Sequence, residues 1–191
     1  MSKSKSNSEV KCWVCGNDEL SVAKESNIDG VLTSEDFSIT DAQYGSTGKI
    51  YCCNSCGFLQ CSELDNVLDF YENLEDSEYE SGREPRSRQS ANILKGIKDF
   101  KESGRLLDVG AGSGILVEKA IELGFSAEGL EPSTWLCSQA TKRGLPVTND
   151  VLPMPKLNTC FDVVTLIDVI EHVPNPNEIF SQIAEVLRDD G

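Results

Sequence analysis

The sequence is short of basic residues, of histidine and of long apolar runs. Its 191 residues include 17 lysines and arginines against 32 aspartates and glutamates, which gives a formal net charge of −15. Such a charge repels phosphate backbones and anionic membrane surfaces, so we expect neither a nucleic acid nor a membrane as partner. No apolar run approaches the roughly 20 residues that span a bilayer, and no segment resembles a signal peptide. We therefore expect a cytoplasmic protein.

The sequence has eight cysteines but no export signal of the kind that accompanies a disulfide-rich secreted fold, so metal binding is the better interpretation of the cysteines. Four of them form two matching pairs, each followed by glycine: Cys12-x-x-Cys15-Gly16 and Cys53-x-x-Cys56-Gly57. Each pair places two thiolates on a tight turn, and two such turns complete a tetrahedral zinc site. The spacing predicts a structural zinc ribbon, because four thiolates leave no open position for catalysis. Cys52 and Cys61 are spare, although either could replace a ligand.

Composition divides the chain into four segments. Residues 1–9 are rich in serine, lysine and asparagine, which predicts a disordered tail. Residues 10–61 carry the cysteine pairs and form the predicted zinc ribbon. Residues 62–103 are predicted to be an acidic connector and then a helix, over about 86–100, that caps the next domain. The last segment is 104–191.

Strands and helices alternate from residue 104 onward. We predict strands at 105–109, 126–130, 145–148 and 161–169, and helices at about 113–123, 133–143 and 177–188. This alternation is typical of an α/β fold, here a Rossmann-like doubly wound parallel sheet. The last strand is a continuous apolar run, as expected for a strand that is buried on both faces.

The first of these strands leads into a glycine-rich turn, Leu106-Leu107-Asp108-Val109-Gly110-Ala111-Gly112-Ser113-Gly114. Glycines let the backbone approach a ligand closely, which predicts a nucleotide-type ligand; a tight turn with only a structural role is the alternative. Ile115 occupies the place of the third glycine of a dinucleotide-binding loop, so a dehydrogenase is disfavoured. Glu131 ends the second strand, where a carboxylate binds ribose hydroxyls, and Asp150 follows the third, within reach of an adenine amino group.

Four motifs in this order resemble those of class I S-adenosylmethionine (SAM)-dependent methyltransferases. They are the glycine-rich turn, Gly129-Leu130-Glu131-Pro132-Ser133, Asn149-Asp150 and the segment 161–173. The last segment is similar to that of ubiquinone-pathway and sugar methyltransferases, and a cysteine ribbon ahead of the domain resembles sugar-modifying methyltransferases. The resemblance implies a seven-stranded sheet, of which this chain supplies the first four strands in the order 3-2-1-4.

The resemblance also implies SAM as the cofactor. The glycine turn, with Asp108 nearby, would hold its amino-acid part, Glu131 its ribose, and Asp150 with the backbone of Val151 its adenine. The full expected set of cofactor-binding residues is Asp108, Gly110, Ala111, Gly112, Gly114, Glu131, Pro132, Asp150, Val151 and Asp168. In the connector, Tyr71, Tyr79 and Arg83 are expected either to close over the cofactor or simply to pack.

His172, the only histidine, follows Glu171 at the end of the fourth predicted strand, where open α/β sheets bind ligands. These two residues are the candidate catalytic groups. In one interpretation His172 is a general base for a hydroxyl acceptor. In another, Asp168, Glu171 and His172 bind a divalent ion, since Asp-x-x-Glu-His resembles the Glu-x-x-Glu-His metal site of ubiquinone-pathway O-methyltransferases. A histidine bonded to a backbone carbonyl is the structural alternative.

The resemblance implies methyl transfer to a hydroxyl or carbon of a small molecule, such as a sugar or a quinone precursor. Base methylation is disfavoured, because Val-Pro-Asn-Pro-Asn at 173–177 lacks the Pro-Pro-aromatic step that stacks on an extruded base. With three strands of the family sheet missing, we expect a shortened gene product or a chain completed by another chain. A partner chain or self-association would then cover the open edge of the fourth strand. The alternative function is a non-catalytic SAM-binding or zinc-ribbon interaction protein.

Overall fold

The computed structural model describes residues 10–30, 32–37, 47–61, 67–154, 161–173 and 175–191. The predicted disordered tail at 1–9 lies outside the described residues. Among the helices described, none has both the length and the apolar character needed to cross a membrane.

The N-terminal module is a small antiparallel sheet with two cysteine turns. Its strands are β1 (Leu20–Lys24), β2 (Ile50–Cys53) and β3 (Leu59–Cys61), paired in that order. The buried side chain of Gln60 connects the first turn to β3. It accepts the backbone N–H of Trp13 at 3.0 Å and donates to the carbonyl of Lys11 at 2.9 Å. The sheet therefore brings together two turns that are distant in sequence.

Three helices occupy the segment between this module and the next: α1 (Val67–Glu72), α2 (Ser77–Ser81) and α3 (Arg83–Lys98). The predicted capping helix is α3, whereas the expected acidic connector contains α1 and α2. Asp76 caps α2 by accepting the backbone N–H of Tyr79 at 2.8 Å. Leu74, between α1 and α2, is 2% exposed, and its carbonyl accepts the hydroxyl of Ser133 at 2.7 Å. These contacts hold the acidic segment against the C-terminal domain.

The C-terminal domain is built on a four-stranded parallel sheet. Its strands are β4 (Arg105–Val109), β5 (Ser126–Leu130), β6 (Val147–Thr148) and β7 (Val163–Thr165). The connecting helices are α4 (Ile115–Glu122), α5 (Thr134–Lys142) and α6 (Pro176–Val186). The strand order is β6-β5-β4-β7, which confirms the predicted Rossmann-like sheet and the order 3-2-1-4 of its strands.

Two apolar clusters cover the faces of this sheet. Leu106 and Leu107, neighbours on β4, are fully buried in opposite clusters, as the two-residue period of a strand requires. Leu106 packs with Leu94 of α3 and with residues of α4 and α5. Leu107 packs with Phe161 and with Ile183 of α6. The helices therefore lie on both faces and leave the carboxyl ends of the strands accessible.

The last strand is shorter than predicted. The apolar run expected to be a strand over 161–169 pairs with β4 only at Val163–Thr165. Val163 and Val164 are half-buried, so the expectation of burial on both faces was wrong for them. After Thr165 the chain leaves the sheet, Asp168 has a left-handed φ of 55°, and a 3₁₀ turn follows at Ile170–His172. Beyond Thr165, Ile167, Val169 and Val173 therefore line a cavity, whereas Leu166 packs against the apolar cluster around Leu107.

Candidate functional site

A cavity of about 880 Å³ lies at the carboxyl ends of β4 and β5. The glycine turn, residues 167–173 and helices α1, α3 and α6 contribute its walls. Small-molecule sites in proteins commonly measure roughly 300–1,000 Å³, and open α/β sheets bind ligands at this edge. The position and size of the cavity are therefore those of a small-molecule site.

The glycine turn is held against the end of β5. Gly110 and Gly112 have φ values of 74° and 55°, which residues with a Cβ rarely adopt. The backbone N–H groups of Gly110 and Ala111 both donate to the carbonyl of Leu130 at 2.9 Å. This arrangement presents the backbone of the turn to the cavity.

The Glu131 carboxylate joins the glycine turn to the start of α5. Its Oε2 accepts the backbone N–H of Gly112 and its Oε1 accepts that of Ser133, both at 2.7 Å. Glu131 is 5% exposed, and burial raises its pKa to about 7 despite these two hydrogen bonds. A carboxylate has about four acceptor sites, so each oxygen can still accept a ligand hydroxyl.

Asp108 is a second buried carboxyl group in the cavity wall. Its Oδ1 accepts the hydroxyl of Thr165 at 2.6 Å. Burial raises the pKa of Asp108 to about 7, and the charge of Glu131 adds to this effect. In the described parts of the chain, neither carboxyl group has an ion-pair partner. The inner cavity is consequently acidic.

Most of the predicted cofactor-binding residues line this cavity: Asp108, Gly110, Ala111, Gly112, Glu131, Pro132, Asp150, Val151 and Asp168. Gly114 does not line it. It is the N-cap of α4, and a Cβ at this position would lie 2.9 Å from the Cδ1 of Leu145. Packing against a neighbouring loop therefore accounts for this glycine, which the sequence pattern alone does not distinguish from the other two.

Both candidate catalytic residues, Glu171 and His172, also line the cavity. The ring of His172 lies 5.7 Å from that of Tyr71, in an edge-on orientation. Its backbone N–H donates to the carbonyl of Val169 at 2.9 Å, but its imidazole makes no hydrogen bond to a described residue. The carbonyl-bonded histidine considered above is therefore not seen in the described part of the chain.

Asp168, Glu171 and His172 do not form a compact set of metal ligands. All three line the cavity. However, within the described segments, only the four cysteines bring at least three His, Cys, Asp or Glu ligand atoms within 4.8 Å of one another. The arrangement does not support the predicted divalent-ion site.

The connector residues Tyr79 and Arg83 have separate environments. Tyr79 lines the cavity, and a Cβ at Gly112 would lie 2.7 Å from its hydroxyl oxygen. Arg83 is not one of the residues that line the cavity; it donates to the hydroxyl of Ser113 at 3.1 Å and pairs with Glu118 at 2.7 Å. Tyr79 therefore covers the glycine turn, while Arg83 joins α3 to α4.

Phe37 and Arg86 line the cavity, and sequence reasoning missed both. The ring of Phe37 stacks on Phe70 at 4.6 Å and meets Tyr71 edge-on at 5.5 Å. The guanidinium carbon of Arg86 lies 4.3 Å from the ring centroid of Tyr79. Neither residue belongs to a motif, so only the tertiary structure reveals their positions.

The four cysteines predicted to bind zinc come together in the N-terminal module. The Sγ atoms of Cys12 and Cys56 are 3.6 Å apart, as are those of Cys15 and Cys53, and all four lie within 4.8 Å of one another. Tetrahedral zinc with bonds of about 2.3 Å separates its sulfur ligands by about 3.8 Å. Backbone hydrogen bonds, the largest from Cys15, lower the pKa of Cys12, whereas burial and the three neighbouring thiols raise that of Cys56. The cluster therefore fits zinc.

Comparison with known proteins identifies methyltransferases as relatives of this chain. A family model described as a methyltransferase domain matches residues 82–191. The mitochondrial ubiquinone biosynthesis O-methyltransferase of Schizosaccharomyces pombe is 33% identical over 96 residues, covering 46% of this chain and 35% of the relative. The enzyme of the same name from Proteus mirabilis is 33% identical over 111 residues, covering 52% and 44%. The chain thus matches less than half the length of these curated relatives.

Among solved structures, a SAM-dependent methyltransferase of Leishmania major is similar in fold. It has a TM-score of 0.50 at 15% sequence identity, with 65% of this chain and 56% of that chain covered. At such low identity the likeness extends to the fold alone. Since the family model matches more than half of the chain and the sheet has the expected strand order, the protein belongs to the class I SAM-dependent methyltransferases.

Proposed function

We propose that this chain binds SAM in the cavity at the strand ends and transfers its methyl group to a hydroxyl or carbon of a small molecule. The observation that carries the proposal is the Glu131 carboxylate, which two backbone N–H groups fix at 2.7 Å in the cavity wall. The relatives named as ubiquinone biosynthesis O-methyltransferases favour an oxygen nucleophile.

The residues around Glu131 supply the remaining proposed contacts. Glu131 would accept the ribose hydroxyls, because its two oxygens are held in place and retain acceptor capacity. The turn at 110–112 and Asp108 would surround the amino-acid part of the cofactor. Asp150 and Val151 would meet the adenine, with Pro132 and Asp168 completing the wall.

For methyl transfer from SAM, the protein has to align the nucleophile more than it has to activate it. SAM supplies an electrophilic methyl group on a sulfonium, so the protein has to orient a nucleophile and exclude water. His172 is the proposed general base for an acceptor hydroxyl, since its imidazole lines the cavity.

We also propose that the cysteine cluster holds a structural zinc ion. Cys12, Cys15, Cys53 and Cys56 would fill all four coordination positions, which leaves none for a reacting group. Zinc would therefore stabilise the N-terminal module without taking part in methyl transfer.

Calorimetric titration of the zinc-loaded full chain with SAM tests the cofactor site. We expect one site per chain, and Glu131→Ala should weaken binding by about tenfold or more, because it removes charged acceptors worth about 1.5–3 kcal/mol each. Glu128→Ala is the matched control, because Glu128 lies on β5, just before Glu131, and pairs with Arg105. This variant should leave SAM affinity unchanged. Failure of folded, zinc-loaded protein to bind SAM would overturn the proposed function.

A non-catalytic SAM-binding or interaction protein is the second candidate. It is supported by the outer edge of β7, which pairs with no further strand in the described segments. A partner chain or a second copy would then cover that edge. SAM binding without transfer to any of a panel of hydroxyl acceptors, together with a stable complex in native mass measurements, would favour this candidate.

A further inference from the structure

A row of aromatic rings runs from the N-terminal module to the cavity. Phe37, from the segment between β1 and β2, stacks on Phe70 of α1, with the ring centroids 4.6 Å apart and the ring planes inclined by 9°. The ring of Phe37 also meets that of Tyr71 edge-on at 5.5 Å, and Tyr71 in turn meets His172 edge-on at 5.7 Å. The row therefore connects the N-terminal module to the proposed general base.

Three rings of this row line the cavity, namely Phe37, Tyr71 and His172, whereas Phe70 does not. Phe70 therefore supports Phe37 from outside the cavity, and the ring of Phe37 stays half-buried with part of its surface in the cavity wall. Burial raises the pKa of Tyr71 to about 12, so its hydroxyl remains neutral at ordinary pH. Phe37 and Tyr71 thus form an uncharged aromatic wall within an acidic cavity.

A second contact fixes the N-terminal module to the C-terminal domain. The side-chain amide of Asn177, in the first turn of α6, donates to the carbonyl of Trp13 in the first cysteine turn. Helix α6 also lines the cavity, through Glu178 and Ile179. The module therefore contacts two elements of the cavity wall, α1 through Phe37 and α6 through Trp13.

The aromatic wall lies on the side of the cavity where an acceptor would bind. A general base acts within about 3 Å of the hydroxyl that it deprotonates, so an acceptor has to approach His172 closely. Tyr71 is the ring next to His172, and Phe37 is the ring next to Tyr71. The groups proposed to bind SAM, Glu131 and the glycine turn, come instead from the ends of β4 and β5. An acceptor held at His172 would therefore extend along Tyr71 and Phe37.

We propose that Phe37 is a specificity-determining residue, which together with Tyr71 binds a flat, uncharged ring of the methyl acceptor. Aromatic side chains favour such rings, because they stack or meet edge-on at centroid distances of about 4.5–7 Å. This inference rests on the proposed function, since it assumes that the cavity holds a methyl acceptor. It gives a role in acceptor selection to the N-terminal module, which lies outside the residues 82–191 that match the family model.

Two acceptors that differ in the saturation of one ring provide the test. They are 4-hydroxybenzyl alcohol and 4-(hydroxymethyl)cyclohexanol, and equilibrium dialysis against the zinc-loaded full chain saturated with S-adenosylhomocysteine gives both affinities. The wild type should bind the aromatic alcohol about threefold to tenfold more tightly, as expected for contacts between aromatic rings. The saturated ring has no less apolar surface, so the hydrophobic effect alone does not favour the aromatic ligand.

Phe37→Leu keeps an apolar side chain but removes the ring. This variant should lower the preference for the aromatic alcohol at least about twofold, whereas Phe37→Trp should retain the preference. Both variants should keep the wild-type affinity for S-adenosylhomocysteine, because Phe37 borders the acceptor and not the cofactor.

Phe58→Leu is the matched control, since Phe58 belongs to the same module, is 37% exposed and does not line the cavity. It should behave as the wild type. Equal wild-type affinities for the two acceptors, or binding of neither to the saturated protein, would overturn the proposal. Equal weakening of both acceptors in a Phe37→Leu protein whose thermal unfolding is unchanged would also overturn it. Failure of the wild type to bind S-adenosylhomocysteine would instead overturn the proposed function, so the two failures are distinguishable.

Discussion

Asp108 and Glu131 are buried carboxyl groups at the ends of adjacent strands, 4% and 5% exposed. Ionising either group places a negative charge in a poorly hydrated site that already contains the other. Hydrogen bonds from Thr165, Gly112 and Ser133 offset this cost only in part, and both pKa values rise to about 7. Burial therefore disfavours the charged forms in the ligand-free site, and a bound cation or hydroxyl donor would favour them.

The stability of the ligand-free protein should fall as the pH rises from about 4.5 to 7. A carboxyl group whose pKa is raised by folding binds more protons in the native state, so its stabilising contribution is complete at low pH and is lost as the pH approaches 7. Each group contributes a slope of up to about 1.4 kcal/mol per pH unit. Urea unfolding of the wild type at several pH values measures the sum.

Glu131→Gln should remove the share of Glu131 in that slope, whereas Glu128→Gln, in the ion pair with Arg105, should not. A wild-type stability that stays flat across this range would contradict the raised pKa values.

His172→Ala should abolish methyl transfer without affecting the cofactor. Loss of a general base typically lowers a rate by about 10²–10⁴, while the cofactor contacts proposed for Glu131 and the glycine turn are left intact. Product formation followed by mass spectrometry gives the rate, and titration with S-adenosylhomocysteine gives the affinity. Full activity in the variant would show that the histidine is not the base.

At the level of elements, local patterns predicted some parts well and others poorly. The bounds of β4 and β5 agree with the prediction, because an apolar strand followed by a glycine turn or a cap is a local signal. The ends of β7 depend on which residues a neighbouring strand covers, and the left-handed backbone at Asp168 has no sequence signature. Helices α1 and α2 were missed because acidic residues surround the few buried apolar positions of this segment, which are Val67 in α1 and Leu74 between the two helices.

The zinc module offers a test with adjacent cysteines. Cys53→Ser should lower bound zinc well below one ion per chain and unfold the three-stranded sheet, because structural zinc contributes folding free energy directly. Cys52→Ser should keep the full zinc content, since Cys52 lies outside the cluster. Elemental mass spectrometry gives the zinc content, and circular dichroism reports the fold. Equal zinc loss in the two variants would contradict the assignment of ligands.

At the scale of the whole molecule, both the net charge and the cavity lining are acidic. The net charge is −15, and among the described residues seven carboxyl groups and one guanidinium line the cavity. The net charge can be read from the sequence, but the concentration of carboxyl groups around one cavity follows from the tertiary structure. Most of them lie at the ends of the strands and in the loops that follow, and Glu178 comes from α6. Such a site favours cationic and neutral ligands over anionic ones.

The cavity should therefore bind neutral methyl acceptors more tightly than anionic ones. In the presence of S-adenosylhomocysteine, 4-hydroxybenzyl alcohol should bind more tightly than 4-hydroxybenzoate at low salt, and the difference should shrink as salt screens the carboxylates. Glu178→Lys, on the cavity side of α6, should reduce the preference, whereas Glu185→Lys, exposed on the same helix and outside the cavity wall, should not. Equilibrium dialysis measures both affinities. Tighter binding of the benzoate to the wild type would contradict the charge preference that the acidic lining predicts.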